Sequence, residues 1–202
     1  MISKEQLIRR FKNACTTVCD AEAELTEIDA KFGDADHGFT MVKICNAISK
    51  ALDESDGDIQ ESIDDAAMAV MSLNGGSAVP LWNTWLDGMQ EGAPKADEMN
   101  VAELKAMFVR AFEELDEMSG AKVGDKTMMD TLIPATEAIK AYDGDDEGEL
   151  FSIACEAAKE GAEDSKNFTS KFGRAKSYGE KTIGTPDAGA MSMAYFFIGM
   201  AK

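Results

Sequence analysis

Leu7-Ile8-Arg9-Arg10-Phe11-Lys12-Asn13-Ala14-Cys15-Thr16-Thr17-Val18 is the stretch from which the fold is read. Its apolar side chains return after three or four residues, so they share one face of a 3.6-residue turn. The series continues through Leu25 and Ile28. The spacing predicts one long amphipathic helix over residues 3–29.

The same period recurs along the chain. It resumes past Gly38 at Met41, Ile44, Cys45, Ile48 and Leu52. A third helix carries Ile59, Ile63, Ala67, Val70 and Met71, and a fourth Leu81, Trp82, Trp85, Leu86 and Met89. A fifth is predicted over 101–118. A sixth starts near Thr127, with Pro134 kinking it or lying in its first turns. A seventh spans 149–168 and an eighth 188–201. No segment alternates with the period of two that marks a half-buried strand. The expectation is an all-α fold of eight helices and no sheet, an antiparallel up-and-down barrel or bundle.

Composition agrees. A chain of 202 residues suits one domain, 1–202, with a full core, and 45% of its residues are apolar. Acidic residues outnumber basic ones 38 to 20, for a net charge of -18. That field repels nucleic acid and anionic lipid, and it repels a nucleotide that arrives without metal ions. The four cysteines form no Cys-x-x-Cys pair and there is one histidine. Small apolar packing is therefore expected of Cys15 and Cys19, not a zinc site. The first residues carry charge without an apolar stretch, and the run 194–201 is too short to cross a bilayer. A cytoplasmic, reduced protein without membrane insertion is expected.

The linkers fall into two kinds. Residues 53–58 and 143–149 are acidic turns, whereas 33–38, 74–77, 119–127 and 173–189 are glycine-rich with mixed polar groups. In an up-and-down bundle alternate links lie at one end, so all four glycine-rich links are expected at one pole.

Four constellations occupy that pole. In Asp29-Ala-Lys-Phe-Gly-Asp34-Ala-Asp36-His37-Gly38 three carboxylates lie within eight residues. Like charges so close call for a cation, and Mg²⁺ takes oxygen ligands from carboxylates and phosphates; a solvated acidic turn is the alternative. A calcium EF-hand does not fit, because the sixth position from Asp34 is Phe39 and the twelfth Cys45. Asn74-Gly75-Gly76-Ser77 enters a helix and can present backbone donors to a phosphate. Gly120-Ala-Lys-Val-Gly124-Asp125-Lys126-Thr127-Met128 is not a P-loop, since Asp125 separates glycine from lysine and no strand precedes it. Residues 173–189 concentrate Arg174, Lys176 and Lys181 in an otherwise acidic chain.

Together these blocks resemble the L domain of dihydroxyacetone kinases. Asp29 and Gly-Asp-Ala-Asp-His-Gly at 33–38, Gly-Ala-Lys-x-Gly-Asp-Lys-Thr-Met at 120–128, and Gly-Arg-Ala, Gly-Glu, Ile-Gly and Asp-x-Gly-Ala within 173–190 follow that family's order and spacing. The resemblance implies an eight-helix barrel holding ADP or ATP at one end. It implies two Mg²⁺ on Asp29, Asp34 and Asp36, which with Arg174 would be the catalytic set. His37, Gly38, Phe39 and Thr40 would run along the phosphates and sugar, and Ser77 and Ala78 toward the phosphates. Gly120, Met128 and Arg174 would frame the nucleotide, and Asp187, Ala188 and Gly189 would close it. It also implies a separate K-type subunit that carries a small keto-sugar on a histidine. In some members a phosphohistidine protein of the phosphotransferase system recharges the bound ADP. The chain departs from the pattern at Ala78, where the family has serine, at Val79 and Asn83, where it has glycine, and at Ala188, where it has proline. Those changes leave open a non-catalytic, ADP-binding regulatory paralogue that docks on a partner.

Overall fold

Three helices begin at capping boxes written in the sequence. In Ser3-x-x-Gln6, Asp58-x-x-Glu61 and Asn100-x-x-Glu103 the cap accepts the N3 amide and the N3 side chain returns to the cap amide. The computed structural model describes all 202 residues. Its elements are β1 (Ile2–Ser3), α1 (Lys4–Asp20), α2 (Glu22–Ala30), α3 (His37–Glu54), α4 (Ile59–Met71), α5 (Ala78–Gly92), β2 (Glu98–Met99), α6 (Val101–Ser119), α7 (Met129–Ala141), α8 (Glu147–Asp164) and α9 (Ala188–Met200). Short 3₁₀ segments follow α8 at Ser165–Asn167 and precede α9 at Arg174–Thr182.

From α3 onward each helix packs on the next. α9 returns to α1, and α1 lies against α3, closing an antiparallel ring. Inside it Trp82, Trp85, Phe11, Phe108, Phe151, Phe196 and Phe197 are fully buried. Their rings meet mostly edge to face, as Trp85 and Phe196 do at 5.4 Å and 86°. Helix α9 is apolar on all sides and correspondingly buried. It closes against α1 at a point of unusual proximity: a Cβ on Gly199 would stand 2.3 Å from the Ala14 Cα.

Three expectations need correction. The single helix over 3–29 is two helices, broken at Ala21 (φ -92°, ψ 7°). No glycine or proline marks the break; α2 leaves the α1 axis and packs on α3 and α9. The fold is not wholly without strands. Ile2 and Ser3 pair antiparallel with Met99 and Glu98, a ladder too short to leave an alternating pattern. As expected, Pro134 falls in the early turns of the sixth predicted helix, in the second turn of α7. Its missing amide leaves the Asp130 carbonyl outside the helical ladder, and α8 closes over that carbonyl at Gly161, where a Cβ would come within 2.2 Å. Finally, α8 ends at Asp164, before the expected 168.

The two poles differ as the links predicted. Away from the glycine-rich loops, Lys4 donates through Nζ to the carbonyls of Ser55 and Gly57 and through its amide to Asp97. Lys12 pairs there with Asp53 at 2.6 Å. The four glycine-rich links meet at the other pole, around a single cavity of about 600 Å³.

Candidate functional site

Parity of the helices gives this pole its electrostatic character. Helices α3, α5, α7 and α9 all begin here, and His37, Ala78, Met128 and Ala188 at or beside their first turns line the cavity. Four positive dipole ends therefore face one space. No side chain caps α5; Val79 donates to the Gly76 carbonyl and Pro80 has no N–H, so in its first turn the Ala78 amide is the one that remains available.

The acidic triad stands at the first of these ends, the start of α3. Ligand oxygens of Asp29, Asp34 and Asp36 lie within 4.8 Å of one another. The local chain explains how. Asp29 ends α2, and its Oδ2 accepts the amides of Asp36 at 3.0 Å and His37 at 3.3 Å, so one carboxylate oxygen starts α3. A Cβ on Gly33 would fall 2.0 Å from Asp29 Oδ1, so only glycine lets the loop fold over this carboxylate. Between Asp34 and Asp36, Ala35 is held at φ 62°, a left-handed turn that brings the two flanking carboxylates together. Burial and the charges of Asp34 and Asp29 push the Asp36 carboxyl above its usual range. Like charges held this close favour a counter-charge. Arg174 supplies part of it, reaching Asp34 Oδ2 at 2.7 Å. The donor set is all oxygen, converging and partly exposed, and fits a hard divalent cation that shares oxygens with a polyanion.

The remaining walls are apolar or backbone. Ile28, Leu81, Trp82, Met118 and Met128 line one side. Gly76 faces the triad, a Cβ there lying 3.9 Å from Asp36 Oδ2. The 3₁₀ segment before α9 lines the cavity with Gly173, Arg174 and Ala175; it is bounded by Gly173 and Gly184 at positive φ and broken at Gly179. It is held to the first loop by the Arg174–Asp34 pair and by Tyr178 packed on Phe32, ring centroids 5.2 Å apart and planes at 59°.

Of the residues singled out in the sequence, Asp29, Asp34, Asp36, His37, Thr40, Ser77, Ala78, Met128, Arg174, Asp187, Ala188 and Gly189 line the cavity. Gly38, Phe39 and Gly120 do not. Gly38 is buried where a Cβ would strike Thr26 and the Glu22 carbonyl, Phe39 points outward at 55% exposure, and Gly120 ends α6 at φ 61°. His37 Nε2 is 3.1 Å from Ser192 Oγ, and burial holds its pKa below the usual value. The departures at 79 and 83 have packing roles. Val79 is buried against Gly75, and Asn83 donates to the Ala67 carbonyl at 3.2 Å. Sequence reasoning missed Phe32, Tyr178 and Trp82, whose apolar character is shared with core residues. It also missed Lys126, whose burial no spacing discloses.

Fold and pole together define a class: an all-helical up-and-down barrel with a carboxylate triad among helix N-termini at one end. The chain belongs to the DAK2 domain family, whose model matches residues 31–202. It is similar to the D-erythrulose kinase of Mycolicibacterium smegmatis, 35% identical over 191 residues, covering 92% of this chain and 33% of that protein. It is also similar to ADP-binding subunits, DhaL, of PEP-dependent dihydroxyacetone kinases. The Listeria innocua kinase 2 subunit is 31% identical, over 83% of this chain and 80% of the relative. The Escherichia coli subunit is 28% identical, over 96% and 94%. The chain thus spans about a third of the erythrulose kinase and most of the DhaL subunits. The dihydroxyacetone kinase of C. freundii, solved with AMP-PNP and Mg²⁺, shares the fold with a TM-score of 0.70 at 23% identity, over 96% of this chain and 33% of that one.

Proposed function

We propose that this chain is the nucleotide-holding component of a kinase for dihydroxyacetone or a related small keto-sugar. It holds ADP or ATP at the glycine-rich pole through two Mg²⁺ on Asp29, Asp34 and Asp36. The sugar sits on a separate K-type subunit, and a phosphohistidine protein of the phosphotransferase system restores the terminal phosphoryl group. The observation that carries this reading is the convergence of three carboxylates within 4.8 Å at the start of α3, on a cavity shared with the N-termini of α5, α7 and α9. Neither half suffices alone: the carboxylates repel a polyphosphate and the helix ends repel a cation, but a metal–nucleotide complex satisfies both.

Phosphoryl transfer depends mainly on positioning and charge neutralisation. When bound, the Mg²⁺ ions would neutralise phosphate oxygens. The protein's own groups do the rest. Asp29 is anchored by two amides and holds the triad's register. The Ala78 amide at the start of α5 and Arg174 add donors for phosphate oxygens. Met118, Met128, Leu81 and Trp82 offer an apolar wall to a base and exclude water from it.

Asp34→Asn should abolish tight retention of nucleotide, read by native mass spectrometry of the purified chain with Mg²⁺ and ADP. Retention equal to wild type would refute the metal role. A second reading has Ala78 in its favour, because it stands on the cavity wall where the resemblance expects a serine hydroxyl. On that reading the chain binds ADP and docks on a partner without passing phosphate. Reconstitution with a K-type subunit and a phosphoryl donor separates them: product supports the kinase, and binding without turnover supports the regulator.

A further inference from the structure

Lys126 sits in a conformation that does not suit it. Its φ is 61°, in the left-handed region where a residue with a side chain is disfavoured and glycine is not. Its side chain is also in the wrong place by ordinary rules, since the residue is only 4% exposed and lysine is almost never buried. Both oddities resolve at the ammonium. Nζ donates to the Ser165 carbonyl at 2.6 Å and to the Thr185 carbonyl at 2.5 Å. Hydrogen bonds from a charged donor are the strong ones, and removing the donor would leave the Thr185 carbonyl unpaired and the Ser165 carbonyl with only the Phe168 amide, at 3.3 Å.

These two carbonyls belong to different elements. Ser165 follows the end of α8, and Thr185 leads into Asp187 and α9. A polar knot surrounds the tie. Ser165 Oγ accepts the Asp187 amide at 2.9 Å, and the Gly184 amide donates to the Lys166 carbonyl at 2.7 Å. Asp130 fastens the loop that presents Lys126, accepting the amides of Gly124 and Thr127 at 2.6 Å each. Thr131 Oγ1 donates to the Ala190 carbonyl at 2.9 Å. Lys126 is the one side chain that joins the loop before α7, the end of α8 and the loop before α9. The residues it orders, Met128 on one side and Asp187, Ala188 and Gly189 on the other, form one wall of the cavity. A Cβ on Gly189 would lie 3.4 Å from the Met128 amide, so the two segments already touch.

We infer that Lys126 is a positioning residue: its buried ammonium ties Ser165 to Thr185 and thereby sets where Asp187, Ala188 and Gly189 stand against Met128. That this wall meets a nucleotide rests on the function proposed above; the tie itself does not. Lysine is required at 126 because the loop needs a cation of that reach at that point, and the unfavourable φ is tolerated to deliver it.

Lys126→Met keeps the length of the stem and removes the donors. In the ligand-free chain the amides of 184–190 should exchange with solvent about tenfold faster, while those of 33–38 keep their wild-type rates. Affinity for Mg²⁺ and ADP, by calorimetry, should fall about tenfold. Tyr142→Phe is the control. It removes hydrogen bonds to Asp146 and Glu149 in the link between α7 and α8, remote from the cavity, and should change neither readout. Should Lys126→Met fail to fold, Lys126→Gly relieves the positive φ while removing the same tie, and gives the same two readouts. Wild-type exchange at 184–190, or acceleration spread over the whole chain and reproduced by Tyr142→Phe, overturns the inference. If wild type itself does not bind ADP yet the variant frees those amides, the tie stands and the nucleotide reading falls.

Discussion

Asp187 stands just before α9, half-buried on the cavity wall, and its Oδ2 accepts the Ala190 amide at 2.8 Å. Burial, with the Asp130 charge adding to it, pushes its carboxyl up to about 7, against the relief given by the Ala190 amide and Lys126. The fold therefore favours the protonated form. Stability from this group is fully present below the unfolded value of 3.8 and is lost as pH rises through about 7. Asp187→Asn keeps an N-cap and imitates the protonated acid. Its melting temperature should match wild type below about pH 4, fall behind it at no point above, and exceed it by roughly 3 °C or more at pH 8, since a protein this size shifts ~2–4 °C per kcal/mol. Calorimetry of the ligand-free chains at both pH values checks this. A constant offset across the range would show that Asp187 keeps its charge and acts as a cap alone.

Among the elements, closure of the barrel turns on one contact. Where α9 meets α1 there is no room for a methyl group at Gly199, with the Ala14 Cα and amide and the Asn13 carbonyl all within 2.6 Å of the missing Cβ. Gly199→Val should push α9 away from α1 and lower unfolding free energy by about 1–3 kcal/mol, the usual cost of overpacking, as read from urea midpoints. An unchanged midpoint would mean that the closure is looser than drawn. Gly199 was legible in the sequence only as one more residue in an apolar run, because close approach of two backbones leaves no periodic trace. The helices were legible, since Leu7, Phe11, Cys15 and Val18 announce a buried face by spacing alone. The break at Ala21 was not, because no local breaker causes it and packing of α2 on α3 and α9 sets the tilt. The site was legible through parity: counting links placed four glycine-rich loops at one pole before any contact was known. Its fine structure was not. The left-handed turns at Ala35 and Lys126 occur at residues that give no sign of them, and the buried charge of Lys126 needs partners more than thirty residues away.

For the whole molecule, charge is the dominant long-range term. A net charge of -18 makes the compact state repel itself. The acidic turns lie at the end away from the cavity, while the triad is pressed together at the other. Salt screens the first kind of repulsion over a Debye length of about 10 Å at 0.1 M. The melting temperature of the ligand-free chain should therefore rise with sodium chloride and level off. The triad needs more than screening, because its oxygens converge on one point and only a multivalent ion can sit there. At matched ionic strength magnesium chloride should raise the melting temperature beyond the sodium plateau. Diffuse attraction of Mg²⁺ to the acidic turns contributes to that excess, so it must be subtracted. Asp34→Asn performs the subtraction, since it removes one triad carboxylate and leaves the turns intact. Most of the magnesium excess should vanish in the variant while its sodium curve keeps the same shape. An excess equal in both proteins would place the stabilising Mg²⁺ on the acidic turns, and the triad would then be a solvated loop with Arg174 as its only counter-charge.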